Sequence, residues 1–205
     1  MRGRRVVELC AALGTTAGCD QGVAVIDTAA VEIALPRTRL PSCERLRRRP
    51  LRSGLPLQKG STAGSSVALV RFGDRTLAYV ADEDARELRV VDLDKRQELA
   101  SAPLGGRPAQ MVVMKDGRVL VALSETSSLA VLEPASNEPR DGLRAVCETE
   151  TPAEPVGLTL TADQESVLVA SRWGQALSAY DTSTMQLRFT TPLARDPHSV
   201  VMGTN

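Results

Sequence analysis

Aromatic residues are scarce: Phe72, Phe189, Tyr79, Tyr180 and Trp173 are the only five in 205 residues. A core must therefore come from Val, Leu and Ala. Base stacking on aromatic platforms has almost no material, which excludes sequence-specific binding of single-stranded nucleic acid. No apolar run reaches the ~20 residues of a membrane-spanning helix, which excludes an integral membrane function. GxSxG, the P-loop GK[ST], HExxH, GxGxxG, CxxC and CxxCH are all missing, so neither a zinc knuckle nor a covalent c-type haem is encoded, and no cofactor or metal is expected. Net charge is also missing, but unevenly. Residues 1–65 hold 11 Lys/Arg against 5 Asp/Glu, and residues 66–205 hold 14 against 20. The two parts are different things in a chain whose 42% hydrophobic and 24% charged residues suit folding in water, as one domain or a small pair.

The amino terminus has the shape of an export signal. Arg2, Arg4 and Arg5 precede a mostly apolar stretch, residues 6–13, and Thr15-Thr16-Ala17-Gly18 leads into Cys19. Small residues before a cysteine resemble a bacterial lipobox, in which the thiol, here Cys19, carries the lipid. Glu8 inside the apolar stretch and Thr16 in the usual place of Leu depart from that pattern. The expected location is the periplasm or cell envelope, with membrane contact only through such an anchor.

If Cys10 leaves with the signal and Cys19 is lipidated, Cys43 and Cys147 remain. An oxidising periplasm can join such a pair, and two unrelated thiols are the alternative, because connectivity is not readable from spacing. Residues 20–65 read as an irregular linker with a candidate strand at 22–27. Pro36, Pro41, Pro50 and Pro56 interrupt any element, Arg45, Arg47, Arg48 and Arg49 repel one another, and residues 60–66 are rich in Gly, Ser and Thr. The Arg cluster reads as a solvated run.

From residue 66 onward the chain repeats. Leu77-Ala78-Tyr79-Val80-Ala81, Arg118-Val119-Leu120-Val121-Ala122 and Ser166-Val167-Leu168-Val169-Ala170 end in alanines 41 and 48 residues apart. Seven residues after each alanine stands Leu88, Leu129 or Leu177, and four further on Asp92, Glu133 or Asp181. Each unit reads as four short strands, a to d. Strand c shows the period-2 alternation of a half-buried strand, and Leu88, Val90, Leu129, Val131, Leu177 and Ala179 are expected inside. Four antiparallel strands every 40 to 50 residues are the period of a propeller blade. The expected fold is all-β, a β-propeller with units 67–107, 108–154 and 155–196 and strand a of a fourth at 197–205.

Tyr79-Val80-Ala81-Asp82, Leu88 to Asp92, Gly106-Arg107-Pro108 and Lys115-Asp116-Gly117 together resemble the YVTN β-propeller repeats of bacterial envelope proteins over residues 66–205. This sequence has Ala81 and Asp82 where the family tetrapeptide has Thr and Asn, Glu133 where strand c ends in Asp, and Ala162-Asp163-Gln164 without the turn glycine. Gln21 to Ala29 also looks like a strand c, out of period.

A propeller ring takes about four to eight blades. Three blades and the start of another lead us to expect a fragment that self-associates; the alternatives are closure by residues 22–35 and an open arc with exposed edges. The d-to-a and b-to-c connections of a propeller share one end, the usual ligand side by family analogy. Arg107, Arg172, Trp173, Asp196 and His198 are the candidate binding residues there. Trp173 can stack on a ligand or lid its blade. His198, the one histidine, can serve as a ligand or acid/base, or be a plain exposed side chain, since one His without a placed partner makes no constellation. Asp82, Glu83 and Asp84 lack EF-hand spacing and read as a solvated turn. Asp92 and Asp181 read as caps of the turn that follows strand c.

The expected function is a non-enzymatic, envelope-located scaffold that binds a protein, glycan or small ligand on its loop end, with no nucleic-acid partner. The alternative is the propeller portion of an enzyme or redox protein, lactonase-like or fused to a c-type haem domain.

Overall fold

Short apolar runs separated by turn residues can bury themselves only by pairing with their immediate neighbours, and they do. The computed structural model describes residues 40–45 and 62–203, within a compact unit spanning Arg37–Asn205. The candidate export segment with Cys19, the strand expected at 22–27, residues 28–39 and residues 46–61 lie outside the described residues. Blade one consists of β1 (Val67–Phe72), β2 (Arg75–Asp82), β3 (Glu87–Asp92) and β4 (Gln97–Pro103). Blade two consists of β5 (Pro108–Val113), β6 (Val119–Leu123), β7 (Ser128–Pro134) and β8 (Leu143–Glu150). Blade three consists of β9 (Pro155–Leu160), β10 (Ser166–Ser171), β11 (Ala176–Asp181) and β12 (Leu187–Pro192). Each is a four-stranded antiparallel sheet in sequence order. Two short 3-10 turns, Cys43–Arg45 and Pro139–Asp141, are the only helical elements among the described residues.

The hairpin turns explain the repeat. The a-to-b turns end in the left-handed region at Gly73 (φ 60°), Gly117 (φ 81°) and Gln164 (φ 62°). Gln164 thus occupies the place of the absent turn glycine, a conformation that costs an L-residue roughly 1–2 kcal/mol. Its side chain contributes in return: Oε1 accepts a hydrogen bond from the Lys115 backbone N–H of blade two at 2.9 Å.

Two apolar cores lie between the sheets. Leu77, Tyr79, Leu88 and Val90 of blade one meet Met111, Val113, Val119 and Val121 of blade two. The alternate residues of blade two, Val112, Leu120, Leu129 and Val131, meet Leu158, Leu160, Val167 and Tyr180 of blade three. Because blade two is covered on both sides, β6 is a continuous buried run rather than an alternating one.

The two described stretches of the 20–65 segment, residues 40–45 and 62–65, are both pinned. Cys43 is joined to Cys147 of β8 across 104 residues of sequence. Beside it, Ser42 bridges Glu148 in parallel and Pro41 O accepts from the Glu148 N–H at 3.0 Å, covering the outer edge of blade two. At the inner edges, Ala63 bridges Thr159 and Ser65 bridges Met111, so residues 62–65 form a strap over β9 and β5. Gly64 is required there. A Cβ at Gly64 would lie 2.6 Å from the Leu158 carbonyl oxygen and 2.7 Å from Gln110 Oε1.

One expectation is corrected. The strand expected at 197–205 is not formed over residues 197–203. The segment lies against blade three, where a Cβ on Gly157 would come within 2.9 Å of Ser199 Cα. No second strand is present among the described residues to complete a ladder with it, and a strand is defined by its partner. Leu177 is likewise half-buried rather than interior, because its side of blade three has no neighbouring blade among the described residues.

Candidate functional site

The b-to-c turns and the d-to-a connections meet at one end of the blades. Each b-to-c turn closes on a left-handed residue at the same repeat position, Arg86 (φ 55°), Ser127 (φ 51°) and Gln175 (φ 45°). Their carbonyls accept hydrogen bonds from the Leu104, Thr151 and Leu193 N–H groups of the connection that follows. The connection before blade two supplies Arg107 O to the Ser124 N–H at 2.9 Å, and the one before blade three supplies Glu154 O to the Arg172 N–H at 2.8 Å. The loop end is therefore a hydrogen-bonded platform.

Blade three's turn is held from both sides of Trp173. Gly174 N–H donates to Ala153 O at 2.9 Å, and a Cβ at Gly174 would lie 2.6 Å from Pro152 Cβ and 2.8 Å from the Ala153 nitrogen. Only glycine permits that approach. On the other side of Trp173, the Arg172 guanidinium forms a two-point bond with Glu154, Nε to Oε2 at 3.0 Å and Nη2 to Oε1. Hydrogen bonding to Glu154, followed by the charges of Glu154 and Asp196, pushes the Arg172 pKa up. Between these two anchored residues the indole of Trp173 is 75% exposed. The equivalent positions in blades one and two are Asp84 and Glu125, both exposed acids. Glu125 is tied to Arg86 of the neighbouring turn at 3.2 Å.

The five sequence candidates are strung along this end rather than gathered in one cavity. Arg107 is exposed and makes no ion pair with another described residue. Arg172 is committed to Glu154, within the field of Asp196. Asp196 is exposed on the connection leaving blade three, and His198, two residues on, is exposed as well. Asp82 is used within its own blade. The Ala85 N–H (2.9 Å) and Arg89 Nε (2.8 Å) donate to its two oxygens, which holds its pKa below the ordinary value. Asp92 and Asp181 cap their turns: Lys95 N–H donates to Asp92 at 2.9 Å, and Ser183 and Thr184 N–H groups donate to Asp181 at 2.9 and 3.0 Å. Among the described residues no group of three His, Cys, Asp or Glu is placed to hold a metal ion.

A groove of about 1120 Å³ between the outer strands of blades two and three was not legible in the sequence. The segment held by Cys43 forms one wall, through Leu40, Ser42 and Glu44. Inside, Thr126 and Ser128 hydroxyls lie 2.9 Å apart, Ser128 Oγ donates to Glu148 Oε2 at 3.2 Å, and Glu148 Oε1 is buried without a partner among the described residues. This chain of two hydroxyls and a carboxylate accepts hydrogen bonds, and no imidazole lines it to activate a hydroxyl as a nucleophile. The candidate pair Cys43 and Cys147 was its one sequence signal.

No protein-family model and no curated protein matches the chain. Solved structures do match. The β-propeller domain of Cps50 (Swd1) from Myceliophteria thermophila superposes with a TM-score of 0.53 at 13% identity, over 66% of this chain and 45% of that domain. Residues 67–192 fold as three consecutive β-propeller blades. The propeller likeness extends to hydrazine synthase of Kuenenia stuttgartiensis, with a TM-score of 0.51, 16% identity, and coverage of 74% of this chain and 40% of that one. It extends also to a provisionally assigned 6-phosphogluconolactonase of Bacteroides fragilis, with a TM-score of 0.51, 15% identity, and coverage of 60% and 37%. The matched part of the propeller arc thus spans less than half the length of each of these proteins. One of the three is named as a β-propeller domain and the other two by an enzyme activity, so the propeller fold by itself selects no role.

Proposed function

We propose that this propeller arc is a non-enzymatic binding scaffold of the YVTN type, located in the cell envelope, whose loop end docks a protein, glycan or small ligand with Trp173 as the anchor. One observation carries the reading: an indole three-quarters exposed on a turn locked from both sides by Gly174 and Arg172. Exposing a large rigid aromatic forgoes its burial, worth roughly 1.5–3 kcal/mol for large apolar side chains, and fixing it in advance lowers the entropic cost of binding. Tryptophan anchors of this kind dominate binding energy at interfaces. The exposed guanidinium of Arg107 adds a planar donor on the same end. The envelope location is supported by the signal-like amino terminus and by the Cys43–Cys147 bridge, which persists in oxidising compartments.

Trp173 is the only tryptophan, so its emission reports directly on this site. Titration with a panel of envelope glycans and with purified envelope proteins is expected to shift that emission for a cognate ligand. Binding followed by calorimetry should fall at least tenfold in Trp173→Ala and less in Arg107→Ala, with thermal stability unchanged. Full affinity in Trp173→Ala, or lactone hydrolysis that disappears in His198→Ala, would overturn the reading.

A further inference from the structure

We propose that the groove beside β8 binds a primary ammonium carried on an aliphatic stem, with Glu148 as its counter-ion. The direction of the hydrogen bonds inside the groove decides what it can hold. A carboxylate only accepts, so in the 3.2 Å contact with Glu148 Oε2 the Ser128 hydroxyl is the donor. A hydroxyl has one hydrogen. With that hydrogen spent, Ser128 Oγ accepts in its 2.9 Å contact with Thr126, whose own hydroxyl is the donor there. Both hydrogens therefore point along the relay toward Glu148. What Thr126, Ser128 and Glu148 leave over is lone pairs alone, and a ligand seated on them has to bring the donors.

A second, independent observation points the same way. Glu148 Oε1 is buried and has no hydrogen-bond partner among the described residues. An unpaired buried acceptor is costly, more so when it is charged, and such a group in a folded protein requires a partner. The lining supplies none: it holds Glu44 as well as Glu148, and no lysine, arginine or histidine among the described residues. Leu40, Met185 and Leu187 give the same groove an apolar wall. An alkylammonium matches both parts, with three N–H donors and no acceptor on a stem that packs against apolar surface.

The relay is not a by-product of the repeat. The positions of Thr126, Ser128 and Glu148 are held by Ala85, Glu87 and Ser101 in blade one and by Gly174, Ala176 and Thr190 in blade three, so neither blade carries the same chain of hydroxyls. The connection beside it differs as well. Gly105 and Gly106 stand where the other connections have Pro152 and Ala153, or Ala194 and Arg195. A Cβ at Gly105 would lie 2.7 Å from Glu148 Oε1, and one at Gly106 would lie 2.8 Å from Thr126 Oγ1, so a side chain at either place would press on an end of the relay. These departures from the repeat converge on one place. Trp173 does not line the groove, and the inference does not rest on the docking role given to that residue.

The test titrates the full chain with cadaverine by calorimetry, with the uncharged diol of equal length as the control. Saturable binding of cadaverine at or below about 1 mM is expected, and none of the diol. Glu148→Gln should weaken cadaverine at least tenfold with an unchanged circular dichroism spectrum. Thr126→Val, at an exposed position, should weaken it by a smaller factor, and Trp173→Ala should leave it as it was. Comparison with an acetylated, amidated lysine separates the two sources of the same group: tighter binding of the lysine derivative assigns the site to a partner's side chain, and tighter binding of cadaverine to a free amine. Absence of binding by both amines, equal binding of the diol, or full affinity in Glu148→Gln would overturn the proposal. Should that variant fail to fold, full affinity in Thr126→Val would do the same.

Discussion

Leu129 and Leu177 stand at the same point of the repeat, seven residues after Ala122 and Ala170, and face the same way in their blades. Leu129 has no exposed surface and packs in the core between blades two and three, whereas Leu177 is half-buried. Blade three covers the first, and no described blade covers the second. Leu129→Ala is expected to destabilise the chain by ~2–5 kcal/mol and Leu177→Ala by less than ~2 kcal/mol. Urea denaturation of the two variants beside the parent measures the difference, and equal midpoints would refute the blade register.

The strap at residues 62–65 is expected to depend on Gly64. Gly64→Ala forces a methyl group into the Leu158 carbonyl and breaks the 2.8 Å bond from Gly64 N–H to Leu158 O. The expected loss is ~1–3 kcal/mol. Hydrogen exchange should show faster exchange at Ser65, Met111 and Leu160, the amides of the strap and of the strands it covers, with little change in blade one's β2–β3 ladder.

The Cys43–Cys147 bridge closes a long loop. Chain entropy alone predicts ~4.7 kcal/mol for a loop of about 100 residues, and native bridges typically deliver ~2–4 kcal/mol. Paired Cys43→Ser and Cys147→Ser substitutions should lower stability in that range and release the wall of the groove that carries Ser42 and Glu44. Reductant should lower the melting temperature of the parent and leave the double variant unmoved.

Asp181 makes stability sensitive to acid. Burial alone would raise its pKa, but hydrogen bonds from the Ser183 hydroxyl, Arg188 and the Ser183 and Thr184 N–H groups outweigh that and hold it well below the ordinary carboxylate range. A carboxyl depressed on folding contributes stability that is fully present above its unfolded pKa, about 3.9, and is lost as pH falls through the folded value. Arg188→Gln removes the donor at 2.6 Å. The Asp181 titration, followed by carboxyl NMR, should move up toward the ordinary value, and the acid-unfolding midpoint should shift to higher pH.

The sequence by itself determined the unit of this fold. A period of 2 in each short run, turn residues at fixed offsets and three alanine-ended strands 41 and 48 residues apart dictate hairpins, and hairpins dictate four-stranded sheets, because all of these are contacts between near neighbours in the chain. The placement of Arg107, Arg172 and Trp173 at one end followed from the same local geometry. Only the tertiary structure decided which of several equivalent positions is buried. Leu88, Leu129 and Leu177 are indistinguishable in spacing, and their burial depends on whether another sheet stands beside them. It also decided that Cys43 meets Cys147, that Gly64 lies against Leu158, and that Arg172 is committed to Glu154 while Trp173 beside it is left exposed. Residues 62–65 and 197–203 look alike as irregular sequence, yet the first is strapped over two inner strands and the second lies against Gly157 without a ladder. Such pairings bring together groups far apart in the chain, and their stability comes from the path of the backbone in space, which no local period encodes.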